Sequence, residues 1–146
     1  MKVYFSCSLT GGRADEAMYG AIVDWLQAAG HVVLTAHLAR PGVLADEQSL
    51  GAPEVYARDM AWVEEAEALV AEVSTPSHGV GYEIAFALMQ RKPTLCLYRQ
   101  DARVSKMLLG NSQPSLTLAA YADERAGLAA VERFMQAAGE KKRPGQ

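Results

Sequence analysis

No run of about 18 or more apolar residues occurs in the chain, so no membrane-spanning helix is expected and no membrane partner. A basic excess is missing too. The 14 Lys and Arg are outnumbered by 17 Asp and Glu, for a formal charge of -3, which argues against a nucleic-acid polymer as partner. Any phosphate recognised here is a local one. Cysteine is scarce: Cys7 and Cys96 each lie inside a strand-like apolar run, which suits buried reduced thiols, with no disulfide and no metal site expected. Signal-peptide character is absent, since Met1 and Lys2 lead directly into an alternating apolar segment, and the expected location is the cytoplasm. The G-x-G-x-x-G dinucleotide fingerprint, the phosphate-cradling G-x-x-x-x-G-K-[ST] and the G-x-S-x-G nucleophile elbow are all missing.

What remains is a chain of 146 residues, half of them apolar and about a fifth charged, which fits one soluble domain. The expected domain is 1–138, followed by a solvated tail at 139–146 (GEKKRPGQ). Apolar alternation and short apolar runs predict strands at 2–9, 31–38, 68–73, 94–98 and 115–120. Helical spacing predicts helices at 14–29, 53–66, 80–90, 103–109 and 123–138, with Gly30 as a C-cap and a surface loop over 40–53. Strand and helix alternate throughout. The implied fold is α/β, a doubly wound, flavodoxin-like five-stranded parallel sheet with helices on both faces. Ligands of such sheets bind beyond the carboxyl ends of the strands, here at 6–13, 74–83 and 99–105.

In the first of these segments, Gly11 and Gly12 permit close backbone approach before a helix that offers unpaired N–H groups to an anion; a ligand-free turn explains the same residues equally well. The second, STPSHGVGYE at 74–83, places Ser77, Gly79 and Gly81 ahead of a helix whose first turn is expected to hold Glu83. There the macrodipole would favour the carboxylate anion, which suits a nucleophile, although an ordinary dipole complement or cap fits the position as well. Asp59 in YARDMAWV stands beside an apolar stripe of Tyr56, Met60 and Val63, so partial burial and a raised pKa are expected of it, against the solvated acids Glu64, Glu65 and Glu67. A margin Asp bonded to backbone is the alternative. Two carboxylates in contrasting environments are what cleavage at an anomeric carbon requires. His37 and His78 are further acid/base candidates of lower rank.

At VYFSCSLTGGR, YARDMAWV, AEVSTPSHGVGYE and LCLYR, in this order and spacing over about residues 2–135, the sequence resembles the 2'-deoxynucleoside 5'-phosphate N-hydrolases of the nucleoside 2-deoxyribosyltransferase superfamily. The resemblance implies hydrolysis to free base and deoxyribose 5-phosphate through a glycosyl ester on Glu83. It implies proton transfer and orientation by Asp59, positioning by Tyr4, and a 5'-phosphate pocket of Ser8, Gly11, Ser77 and Gly79. A further phosphate-binding serine, from the neighbouring subunit, matches Ser105, so a homodimer with a shared active site is implied; no cofactor is. Ser105 also suits an N-cap.

The chain departs from the family's C-G-S-I-R-G-G in its first loop, where Cys7 replaces a glycine and Thr10 an arginine. Thr10 lacks the fixed bidentate charge, and Arg13 is the candidate to compensate. The rival readings are a nucleoside 2-deoxyribosyltransferase, an N-glycosidase of ribonucleotides such as CMP, and a nucleotide-binding sensor without catalysis.

Overall fold

The computed structural model describes residues 1–142. Five parallel strands, β1 (Lys2–Ser6), β2 (Val32–Val33), β3 (Ala68–Glu72), β4 (Thr94–Arg99) and β5 (Leu116–Tyr121), pair in the order β2-β1-β3-β4-β5. Between them run α1 (Glu16–Ala28), α2 (Val43–Gln48), α3 (Ala52–Glu65), α4 (His78–Met89) and α5 (Lys106–Leu109), and α6 (Glu124–Lys142) follows. The expected doubly wound parallel sheet is the observed one.

Alternation along the strands divides the core. Val3, Phe5, Val70, Leu95 and Leu97 meet Tyr19, Ile22 and Leu26 of α1 and Val131 and Phe134 of α6. Tyr4, Leu69, Ala71 and Cys96 face the other way, onto Val63 of α3 and Val80, Ile84 and Leu88 of α4. All five residues of β3 are buried, which explains its unbroken ALVAE run, as expected of a central parallel strand. Cys7 and Cys96 are buried free thiols, as expected.

Three elements differ from the sequence expectation. The strand expected at 31–38 is only two residues long, because the Thr35 side chain takes over the next backbone pairing: its Oγ1 accepts from Phe5 N at 2.9 Å and donates to Phe5 O at 2.7 Å. Residues Ala36–Ala39 then form a 3₁₀ turn carrying His37. The surface loop expected at 40–53 contains α2, which begins after Gly42 at φ 83°, a conformation glycine adopts without Cβ strain. Residues 139–142 of the expected tail continue α6, in which Ala138 is still buried; 143–146 lie outside the described residues. Among the described residues no helix is long and apolar enough to cross a membrane.

Candidate active site

Residues 4, 6 and 8 alternate with 3, 5 and 7, so Tyr4 and Ser6 project from β1 toward α3 and α4. Tyr4 Oη donates to Glu83 Oε1 at 2.7 Å, and Ser6 Oγ donates to Glu83 Oε2 at 2.5 Å. Both hydroxyl residues are fully buried. Burial first, then the negative Glu83, pushes the Tyr4 phenol far upward, so it remains a donor at any physiological pH.

Glu83 itself is a correction. The helix starts at His78, with Ser77 as N-cap accepting from Val80 N at 3.4 Å, so Glu83 is the sixth residue of α4 and lies beyond its first turn. The macrodipole has largely faded there. Burial dominates instead and lifts the carboxyl to about 7, against the lowering effect of the Ser6 and Tyr4 hydrogen bonds. The expected contrast of an ionised Glu83 with a raised Asp59 gives way to two raised carboxyls.

Asp59 lies on α3 and, as expected, burial raises it, opposed by Arg58, whose Nε donates to Oδ1 at 2.9 Å. The same guanidinium donates from Nη1 and Nη2 to Glu47 at 2.9 Å each and lies 4.9 Å over the Trp62 ring. Glu47 of α2 also meets His37 Nε2 at 3.2 Å. His37 is therefore engaged by Glu47, and His78 is an exposed residue opening α4. Tyr56, expected in the buried stripe with Met60 and Val63, is instead 57 % exposed and packs edge-on against Tyr82, because the sheet covers only the Val63 end of that stripe. Glu64 and Glu65 are exposed, while Glu67 accepts the Lys2 backbone N–H at 2.7 Å.

At the other end of the site two turns meet. A Cβ on Gly11 would lie 2.5 Å from Pro76 O and 2.8 Å from Ser8 Oγ, so only glycine lets the first loop press against the turn before α4. Ser8 is fully buried, and among the described residues its Oγ has no partner. Ser77 Oγ stands beside Gly79 at the start of the same helix. Ser8 and Gly11 of the first loop thus lie against the turn that carries Ser77 and Gly79 into α4, the helix of Glu83.

The family model for nucleoside 2-deoxyribosyltransferases matches residues 3–137. The chain belongs to that family. It is 43 % identical over 136 residues to a Methanosarcina barkeri protein provisionally named 2'-deoxynucleoside 5'-phosphate N-hydrolase 1, covering 93 % of this chain and 86 % of that one. It is 44 % identical over 117 residues to the 5-hydroxymethyl-dUMP N-hydrolase of Mus musculus, covering 77 % and 67 %. The fold matches the CMP N-glycosidase of Clostridium botulinum, with TM-score 0.65 and 15 % identity over 90 % of this chain and 99 % of that one.

Against that family's first loop, Thr10 and Cys7 can now be placed. Thr10 is exposed. Arg13, the candidate to compensate, donates from Nη2 to Leu38 O at 3.0 Å and Glu16 Oε1 at 3.3 Å, and its guanidinium lies 5.5 Å over the Tyr19 ring of α1. Cys7 points to the α1 side of the sheet, its Sγ 3.7 Å from Leu38 O and its thiol pushed up to about 12 by burial. Its bulk goes into the core, away from Glu83.

Ser105 caps α5, accepting from Met107 N at 3.2 Å, and is exposed on the rim of a groove of about 900 Å³ that Ser77 and Ile84 also line. Sequence reasoning passed over Ser6, Arg58 and Glu47. Ser6 had a signal, its place between Tyr4 and Ser8 on one face of the strand. Glu47 had none, since its helix was read as loop.

Proposed function

We propose that this protein hydrolyses the N-glycosidic bond of 2'-deoxynucleoside 5'-monophosphates, with Glu83 as nucleophile. The observation that carries the reading is the Glu83 carboxyl held on both oxygens by Tyr4 and Ser6, beside a turn with a buried, unpartnered Ser8 hydroxyl. The names of the relatives support the reaction class.

The 5'-phosphate sits where Ser8, Gly11, Ser77 and Gly79 converge, with the N-terminus of α4 directed at it. In this reading C1' of the sugar comes within reach of Glu83. The ionised carboxylate attacks C1'; an O–C bond forms and the C1'–N bond breaks, its electron pair leaving with the base. Asp59, raised by burial, delivers the proton that the departing base needs and recovers one from the water that then opens the glycosyl ester. Tyr4 stays protonated and keeps Glu83 in line. Free base and deoxyribose 5-phosphate result.

The groove between α4 and α5 is lined in part by exposed Met107 and Leu109. A second copy of the chain covers these residues in the proposed homodimer and brings its Ser105 to the phosphate.

Incubation with dGMP, dCMP, GMP and deoxyguanosine, followed by quantification of free base, tests the reading. Release from the deoxynucleotides is expected, with far slower release from GMP and deoxyguanosine. No release from any of them overturns it. Base exchange without net hydrolysis would identify a transferase instead.

A further inference from the structure

Ser6 is used by nothing described so far beyond its contact with Glu83, and that contact is the shortest one made to the carboxyl. We propose that Ser6 is a positioning residue for the nucleophile, holding the plane of the Glu83 carboxylate through Oε2 while Tyr4 holds it through Oε1. This rests on Glu83 being the nucleophile.

The placement is local geometry of β1. Ser6 ends the strand, pairs with Ala71 of β3 through its backbone, and turns its side chain to the α4 face. It is fully buried, so an unpaired hydroxyl there would be costly, and Glu83 Oε2 is the partner that satisfies it. A glutamate has three rotatable side-chain bonds, and one hydroxyl on one oxygen still lets the carboxyl swing about that contact. Two donors on two oxygens, both from one rigid strand, fix its plane. When one oxygen forms the bond to C1', its donor is released, and the other hydroxyl remains on what becomes the ester carbonyl.

The same contact affects ionisation. The charged and titratable groups that interact with Glu83 include Tyr4 on β1, Cys7 just after it, and Asp59 and Arg58 on α3; beside them the Ser6 hydrogen bond is the strongest influence favouring the anion. Its loss leaves burial less opposed.

Ser6→Ala and Ser6→Cys decide the matter, with Glu83 titrated directly by carboxyl 13C NMR and kcat and KM followed across pH. A charge-assisted hydrogen bond and its loss correspond to a shift of about one pH unit, so in Ser6→Ala the Glu83 midpoint and the acid limb of kcat should move up together by that amount. At neutral pH kcat should fall about tenfold with KM within about twofold. Ser6→Cys, a weaker donor, should fall between, and it keeps the side chain's volume if the alanine variant folds poorly. An unmoved Glu83 midpoint in both variants, or a loss confined to KM, overturns the proposal. If the midpoint moves but neither parent nor variant releases base from any nucleotide, the hydrogen bond stands and the hydrolase reading falls, taking the catalytic role of Ser6 with it.

Discussion

Two carboxyls in this molecule are equipped almost alike. Glu83 receives a tyrosine and a serine hydroxyl; so does Glu72, at the end of β3, from Tyr121 Oη at 2.9 Å and from Ser74 Oγ. Burial raises both. The surroundings separate them. Glu72 is fully buried, also faces the Ser74 backbone N–H at 3.3 Å, and its hydroxyl donor Ser74 accepts in turn from Arg99 N, so the group ties β3 to β4 and β5. The nearby acid, Asp15, is neutralised by Arg99. Glu83 is only partly buried, receives no described backbone N–H, and has beside it Asp59 and the turn with the unpartnered Ser8. Hydroxyl donors on a buried carboxyl therefore do not mark a catalytic centre by themselves. Access and a second raised carboxyl are what set Glu83 apart.

The comparison is broken most directly by removing each carboxyl. Glu83→Ala should lose turnover by about four powers of ten or more in protein that still folds, because the nucleophile is gone; the Tyr4 and Ser6 hydroxyls it leaves unsatisfied should lower the unfolding midpoint by the equivalent of about 1–3 kcal/mol. Retained turnover would refute the assignment. Next in size is a pH effect on stability. The native state holds the Glu83 proton up to about 7, whereas the unfolded chain releases it near the ordinary 4.5. Between those values the native state binds more protons, so this stabilisation is complete below 4.5 and is lost as pH rises through 7. Glu83→Gln escapes that loss. Its stability relative to the parent should grow across the window by on the order of 3 kcal/mol and level off above it, which unfolding midpoints at a series of pH values will reveal. A flat difference would show that Glu83 is not raised.

Glu72→Ala should match Glu83→Ala in stability and differ from it in turnover. Leaving the Tyr121 and Ser74 donors unsatisfied in a sealed site costs about 1–3 kcal/mol, read as a lower urea midpoint, while kcat per folded molecule stays near the parent value. A collapse of kcat in folded protein would make Glu72 part of the site.

How far this contrast was legible in the sequence depends on which contacts are local. Strand and helix alternation sufficed for the parallel sheet, and motif order singled out Glu83, Asp59 and Ser77. The length of β2 was hidden, because Thr35 bonds to Phe5, thirty positions earlier, and no periodicity records that. The start of α4 at His78 was hidden by two glycines that read as turn, and with it the reason Glu83 is raised: enclosure by β1 and α3, distant in sequence, outweighs the helix dipole. Arg58 carries no signal in the sequence, because Glu47, which engages it, lies eleven positions earlier on α2, a segment that reads as loop.

The finest test uses the two tyrosines. Tyr4 and Tyr121 each donate one hydrogen bond to a raised carboxyl, so tyrosine-to-phenylalanine removes the same atom in both regions and leaves the ring packing in place. Tyr121→Phe should cost about 1 kcal/mol of stability and leave the pH-rate profile unmoved, since the proposed reaction does not use Glu72. Tyr4→Phe should cost a similar stability yet lower kcat about tenfold and raise the acid limb, because the lost donor had favoured the Glu83 anion and fixed its direction. Double variants with Glu83→Gln sharpen the distinction. In that background Tyr4→Phe should have no further effect on residual turnover, as its influence passes through the missing carboxylate, and an added loss would mean that Tyr4 touches the substrate itself.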